Sequence, residues 1–570
     1  MRTMTPISAP AETGEPAERT RPRAWSGAAA VLVGVALICV HAAGYGRWLV
    51  DDAAITFDYA RNLSQGFGPV LQPGAPPVEG YSNTSWLLLL TLGRWLGLFD
   101  HGTLLGIPDY VVYPKFLGLL FCTGTLVAIH RAAGVLVRRP WIVTLAAGVT
   151  LACIPSYVVW SFSGLENSCY GFLVTAIAAV SVRAVARHRP HAVPVAVGTG
   201  LLAFAAALTR PDGMIYAVAY PVLVLLLVNR ATIRPTLVAA GASVLSFGVP
   251  FVAFLLWRHA EFGRWVANTA AAKNQPLAVD AETVLAFNKL TDLAGYVGVV
   301  TTLVAIVIIG CNLGVASVFR RCLLGALVPL LLAITAYGFL NEDWMEQYRF
   351  ATPIWPVGAL AVASCGYRLV ATGGSRVRVV VAIGVAAAVG TSATLLDTQR
   401  TAFSATPTVP MCAVADSSGR LINHLANLTH LGPDAVYLGP DLGGSSLTSR
   451  LRLVDLAGLT DAPIADYRAA GNVQGLYDHI FGRLRPDIIN AEQAWQLKDP
   501  RITSDYDLLN PVDHGLGGMY IRKDHVTDPA VLVMVRSERM TLQQEILDHY
   551  LTAPHSSCGD TLRPGQVLTP

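Results

Sequence analysis

Residues 24–86 read AWSGAAAVLVGVALICVHAAGYGRWLVDDAAITFDYARNLSQGFGPVLQPGAPPVEGYSNTSW, an apolar run set directly against a polar one. From Trp25 to Gly46 there is no Asp, Glu, Lys or Arg. A hydrocarbon core takes about 20 apolar residues of helix, whereas the apolar region of a cleaved signal peptide is only about 7–15 long. The run therefore predicts an uncleaved first membrane helix. Arg19, Arg21 and Arg23 precede it, and basic residues stay inside, so the polar stretch from Arg47 lies outside.

The rest of the chain repeats this contrast. Of 570 residues, 53% are hydrophobic and 14% charged, with mean hydropathy +0.48. A soluble protein carries about 25% charged residues, so a water-soluble enzyme is excluded, as are disordered and collagen-like chains. The net charge of +3 and the lack of a basic tract give no footprint for nucleic acid. Further apolar runs at 111–130, 141–162, 168–186, 193–209, 214–229, 236–257, 296–317, 322–340, 353–370 and 379–396 bring the expected spans to eleven. The run Trp86–Phe99 would make twelve. Eleven puts Arg131, Arg138, Arg139, Arg183, Arg187, Arg189, Arg320, Arg321, Arg376 and Arg378 inside, as the charge rule requires, and leaves 86–99 a juxtamembrane or re-entrant helix.

The expected fold class is thus a polytopic α-helical membrane protein of the plasma membrane. It has a disordered cytoplasmic tail (1–24), a membrane domain (25–396, first outer loop 47–110) and a soluble extracytoplasmic domain (397–570). Short β-like runs at 435–439, 452–458, 486–491 and 518–523 read as an α/β or α+β module; DLGGSS, 441–446, reads as a turn. Cys412 and Cys558 lie in the exported part, where a disulfide is allowed but not dictated.

Arg and Lys alone set this topology, so the acids are an independent observation, and they fall outside. Asp51 and Asp52 follow the first span, Glu166 sits in SFSGLEN, Asp212 in TRPDG, and NEDWMEQYRF (341–350) precedes the tenth span. Wet loops are polar in any case, but two adjacent carboxylates at the end of a span suit a general base with a tuning neighbour or a cation site. The sequence has no GxxxxGK[ST], HExxH, CxxC or GxSxG, which removes P-loop, zinc-hydrolase, thiol-exchange and serine-elbow chemistry. No metal site is expected.

The loop 51–90 resembles the first outer loop of GT-C membrane glycosyltransferases, and more narrowly the mycobacterial terminal β-(1→2)-arabinofuranosyltransferase family. The resemblance continues through SGLEN, TRPDG, ANTAAAKN, EDWMEQYRFATP and VDLAGLTD. Asp58 stands where that family has Arg, and Ala270 and Ala271 where it has aromatic residues. The resemblance implies transfer of a sugar, arabinofuranose at best guess, from a polyprenyl-phosphate donor to a hydroxyl of an envelope glycan or glycolipid, with inversion. It requires no cofactor, though a divalent cation is compatible.

An attacking hydroxyl needs a carboxylate to take its proton, and a phosphate leaving group needs cations. Asp51 is read as the base and Asp52 as its neighbour, with Glu166 and Asp212 supporting. Arg210, Lys273 and Arg349 serve the donor phosphate or anchor headgroups. Glu79, Tyr81, Asn83, Trp86, Asn268, Asp343 and Trp344 fill the family's substrate-binding positions, although Trp86, Trp344 and Tyr348 fit an interfacial aromatic belt better than sugar stacking. The competing readings are a catalytically degenerate envelope scaffold and, more distantly, a transporter.

Overall fold

The computed structural model describes residues 24–273, 279–314, 317–341, 344–491, 495–510 and 518–568. The chain is mostly helical. Seven helices are long and apolar enough to cross a membrane: Trp25–Ala43, Asp109–Leu136, Asn167–Ala186, Arg230–Phe262, Val318–Phe339, Ile354–Thr372 and Ser375–Ala405. Two more runs are broken. Pro140–Ala152 and Pro155–Ser161 meet at 82°, and Ala286–Val297 and Val299–Leu313 meet at 100°. Pro155 cannot continue the first helix, and Gly298 takes a φ of 95° at the second break, a conformation open mainly to glycine.

Counting each bent pair as one crossing gives nine among the described residues, fewer than the eleven expected. The other two apolar runs are the shorter helices Val193–Thr209 and Pro211–Leu226, parted at Pro211. The run at 86–99 forms the 12-residue helix Thr84–Trp95. At 1.5 Å per residue it reaches about 18 Å, well short of a bilayer core of about 30 Å. It packs instead on the helix Asp51–Ser64, into which the first part of the outer loop folds.

Helix Ser375–Ala405 runs on through residue 397, where the composition changes. Beyond it a five-stranded sheet forms in the order Arg452–Asp455, Val436–Gly439, Ile488–Asn490, Met519–Arg522, Tyr506–Leu508. The first three strands are parallel and the last two join antiparallel. Alternation splits its side chains between two cores. Val436, Leu438, Val454 and Ile489 form one with Ile480 and Phe481, while Tyr437, Leu453, Ile488 and Ile521 join the large core that extends into the membrane helices.

The two parts of the chain are sewn together. Val50 bridges Pro410, and Met411 N–H donates to the Leu49 carbonyl at 2.9 Å. The Gln72 side chain donates to the Leu451 carbonyl (3.0 Å) and accepts from Leu453 N–H (2.9 Å). Within the C-terminal part, Cys412 and Cys558 form a disulfide across 146 residues of sequence.

Candidate active site

The site is built on the acidic helix Asp51–Ser64. Two carboxylates in its first turn complement the exposed N–H groups and positive dipole end there. Asp51 is buried. Its carboxylate accepts from the backbone N–H of Gly444 (2.7 Å) and Gly443 (3.2 Å), the first residues of a six-residue helix, Gly443–Thr448. The expectation of a turn at DLGGSS is corrected by this helix. A Cβ on Gly443 would lie 2.1 Å from the Asp51 carbonyl oxygen and 2.3 Å from its carboxylate, so the close approach requires glycine. Burial pushes the Asp51 carboxyl well above the usual carboxylate range; the Gly444 amide opposes this, and the charges of Asp52 and Asp441 add to it.

Asp52 is only half-buried and starts a different face, one turn ahead of Thr56. From Thr56 a chain of polar contacts crosses four sequence motifs. Thr56 Oγ1 donates to Asn83 Oδ1 (3.3 Å), and Asn83 Nδ2 to Glu166 Oε2 (2.8 Å). Arg210 Nη1 donates to Glu166 Oε1 (3.2 Å) and its Nε to Asp212 Oδ1 (3.0 Å). Tyr170 OH closes the series on Asp212 Oδ2 at 2.8 Å. The Arg210 guanidinium lies 4.5 Å from the Phe350 ring centre and that of Arg349 5.3 Å from the same ring. Two cations and two buried acids therefore gather beyond the acidic helix's first turn. Among the described residues no group of three or more His, Cys, Asp or Glu is placed to hold a metal ion.

Neither a known family nor a curated protein matches the chain by sequence. Solved structures do resemble it. The oligosaccharyltransferase AglB from the archaeon Archaeoglobus fulgidus, in complex with an inhibitory peptide and a dolichol-phosphate, superposes with a TM-score of 0.50 at 11% identity, over 88% of this chain and 74% of that one. The apo form of the Archaeoglobus fulgidus oligosaccharyltransferase gives 0.50 at 10% identity, over 82% and 70%. AglB is a GT-C glycosyltransferase. The chain has the GT-C fold.

Within this fold the acidic helix, Asn83, Glu166, Arg210, Asp212 and Arg349 come together as one neighbourhood; other expected residues do not join it. Glu79 is committed to a two-pronged ion pair with Arg258 (2.6 and 3.0 Å), and burial raises its carboxyl against the pull of that guanidinium. Tyr81 is buried edge-on to Tyr59 with ring centres 5.0 Å apart. Trp86 is fully enclosed, its indole N–H donating to the Gly164 carbonyl at 2.9 Å; this burial removes it both from sugar stacking and from an interfacial belt. Asn268 donates to the Gly458 and Leu459 carbonyls (2.8 and 2.9 Å), fastening its loop to the VDLAGLTD segment. Lys273 and Trp344 are exposed. Asp343 lies outside the described residues.

Sequence reasoning missed Thr56, Tyr170, Phe350 and the glycine pair. Only Thr56 had a signal, its helical spacing of four from Asp52.

Proposed function

We propose that this protein is a membrane glycosyltransferase that takes a sugar from a polyprenyl-phosphate donor and attaches it to an envelope glycan or glycolipid hydroxyl on the outer face of the plasma membrane. In this reading the chain crosses eleven times, residues 397–570 face outward, and arabinofuranose is the leading sugar. The carrying observation is the run Thr56–Asn83–Glu166–Arg210–Asp212, which ties two acids and a guanidinium to Thr56, one helical turn beyond the half-buried Asp52.

Burial supports exchanging the roles expected of the adjacent carboxylates, Asp51 as base and Asp52 as its neighbour. Asp51 is spent on two main-chain amides and is a positioning residue. Asp52 is the general base: it takes the acceptor's hydroxyl proton as that oxygen forms its bond to the anomeric carbon. The bond from that carbon to the phosphate oxygen breaks, and the lipid phosphate leaves with the electron pair. Arg210 and Arg349, bracketing Phe350, stabilise that developing charge. Glu166 and Asp212 hold Arg210 in place through charge-assisted hydrogen bonds. A single displacement inverts the anomeric centre.

The deciding measurement is sugar transfer by purified protein in detergent, with a panel of polyprenyl-phospho-sugars and acceptors. Transfer from one donor, reduced at least ~100-fold by Asp52→Asn, is expected, since general-base catalysis contributes ~10²–10⁴-fold. Unchanged transfer by the variant would remove Asp52 as base, and a product that keeps the donor's anomeric configuration would overturn the single displacement. Absence of transfer from every donor and acceptor would leave the scaffold reading.

A further inference from the structure

Among the described residues, Gln347 and Tyr348 are the only adjacent pair of non-glycine residues with positive φ, at 63° and 52°. A Cβ makes the left-handed conformation costly, and residues stay in it only where their surroundings over-determine it. The pair leads straight into Arg349–Ala351, a single turn of 3-10 helix. It therefore precedes the guanidinium that serves the lipid phosphate in the transferase reading.

Side chains from three elements hold this turn. The Trp160 indole N–H donates to the Gln347 carbonyl at 2.9 Å. Tyr296 OH donates to Gln347 Oε1 at 2.7 Å, and its ring centre lies 4.7 Å from that of Tyr348. Asn167 Nδ2 donates to the Arg349 carbonyl (3.2 Å) and to Thr352 Oγ1 (3.0 Å).

Two of these elements are the broken membrane spans. Trp160 and Ser156 belong to Pro155–Ser161, the short arm of the first bent pair, and Tyr296 stands just before Gly298, where the second pair bends. One hydroxyl joins both breaks to the turn, because Tyr296 OH also accepts the Ser156 N–H at 2.8 Å. That amide lies in the first turn of its helix and has no partner within it; a straight helix would have bonded it to its own preceding turn. Glu166 and Asn167 complete the frame. Glu166 takes the Arg210 side chain and Asn167 the Arg349 backbone, so adjacent residues fix both cations of the site. Trp160 also flanks what it helps to present, its ring centre lying 6.0 Å from the Arg349 guanidinium.

We infer that Gln347–Tyr348 is a strained mount for Arg349, and that Trp160, Asn167 and Tyr296 are positioning residues that aim its guanidinium at the phosphate of the lipid donor. The mount rests on the transferase reading for that phosphate, and on neither Asp52 as base nor arabinofuranose as sugar.

Titration calorimetry of the purified full chain with a short polyprenyl monophosphate tests it. Arg349→Ala is expected to weaken binding about tenfold or more, as loss of a charged partner does. Tyr296→Phe, Trp160→Phe and Asn167→Ala are each expected to weaken it about fivefold, the factor carried by one lost hydrogen bond. In the Arg349→Ala background Tyr296→Phe should add nothing, whereas independent effects would add. Tyr296→Phe removes a single oxygen, so the cycle stands if Trp160→Phe fails to fold. The backbone is read separately: Tyr348→Gly should have a higher denaturation midpoint than Tyr348→Ala, because both lose the ring and only alanine carries a Cβ into the left-handed region.

Additive losses in the double variant, an alanine variant no less stable than the glycine one, or wild type without affinity for the lipid phosphate would each overturn the mount. The expected binding cycle without transfer from any donor would overturn the transferase reading and leave the mount standing.

Discussion

Asp58 gives the protein a distinctive pH response. Burial lifts its carboxyl to about 8; Arg61 pulls it down and Asp100 adds to the lift. An unfolded Asp titrates near 3.8, so the folded chain holds a proton that the unfolded chain loses between those values. The linked stability is fully present below about pH 4 and is lost as pH rises through 8. Asp455, raised by burial to about 6 against the Thr460, Ala457 and Leu459 amides, adds a drift of the same sign over a narrower window. Thermal melts should therefore fall in Tm from pH 4 to pH 8, and Asp58→Asn should flatten that slope. An unchanged slope in the variant would show that Asp58 keeps an ordinary pKa. None of this was legible in the sequence, where Asp58 was simply a departure from a family pattern. A carboxylate's burial is decided by what packs on it, here a segment nearly four hundred residues later.

At the scale of elements, Gly443–Thr448 is the piece that local pattern could not reveal. Glycine costs about 1 kcal/mol in a helix relative to alanine, and six residues beginning Gly-Gly have no helical signal of their own; contact with the acidic helix overrides propensity. Gly443→Ala should destabilise the fold by about 1–3 kcal/mol, as overpacking does, and should lower transfer by displacing the acidic helix's first turn. Urea melts and the transfer assay check the two effects, and wild-type values in both would sink the idea that the close approach matters. Apolar runs were readable because burial in lipid requires them. Their angles were not, because hydropathy does not register a bend; Pro155 and Gly298 were the marks of the breaks. The strand Tyr506–Leu508 was too short, at three residues, to show alternation.

At the scale of the whole molecule, composition told of the membrane, as the long apolar helices bear out. Contacts joining the first loop to the C-terminal part had no sequence signature; the one disulfide the sequence offered, between Cys412 and Cys558, lies within the C-terminal part. That disulfide closes a long loop, and its loss in Cys412→Ala/Cys558→Ala should cost about 2–5 kcal/mol, read as a lower denaturation midpoint that reductant reproduces in wild type and not in the variant. Arg258→Ala should cost about 3–5 kcal/mol, because it strands the buried Glu79 carboxylate; Glu79→Gln in the same background should recover part of the loss. Failure of that second substitution to recover stability would show that Arg258 acts through packing on Phe254, whose ring centre lies 4.6 Å from the guanidinium, and not through charge.

The clasp between Asp51 and the Gly443–Gly444 amides also bears on how such proteins can be recombined. Because the helix bearing Asp51 and Asp52 is gripped by residues from the far end of the chain, the two ends form one inheritance unit. A hybrid that joins these membrane helices to the C-terminal part of a distant relative would need its grip and its acid helix to come from the same parent. Fusion at the composition boundary near 397, the obvious seam, would divide that unit.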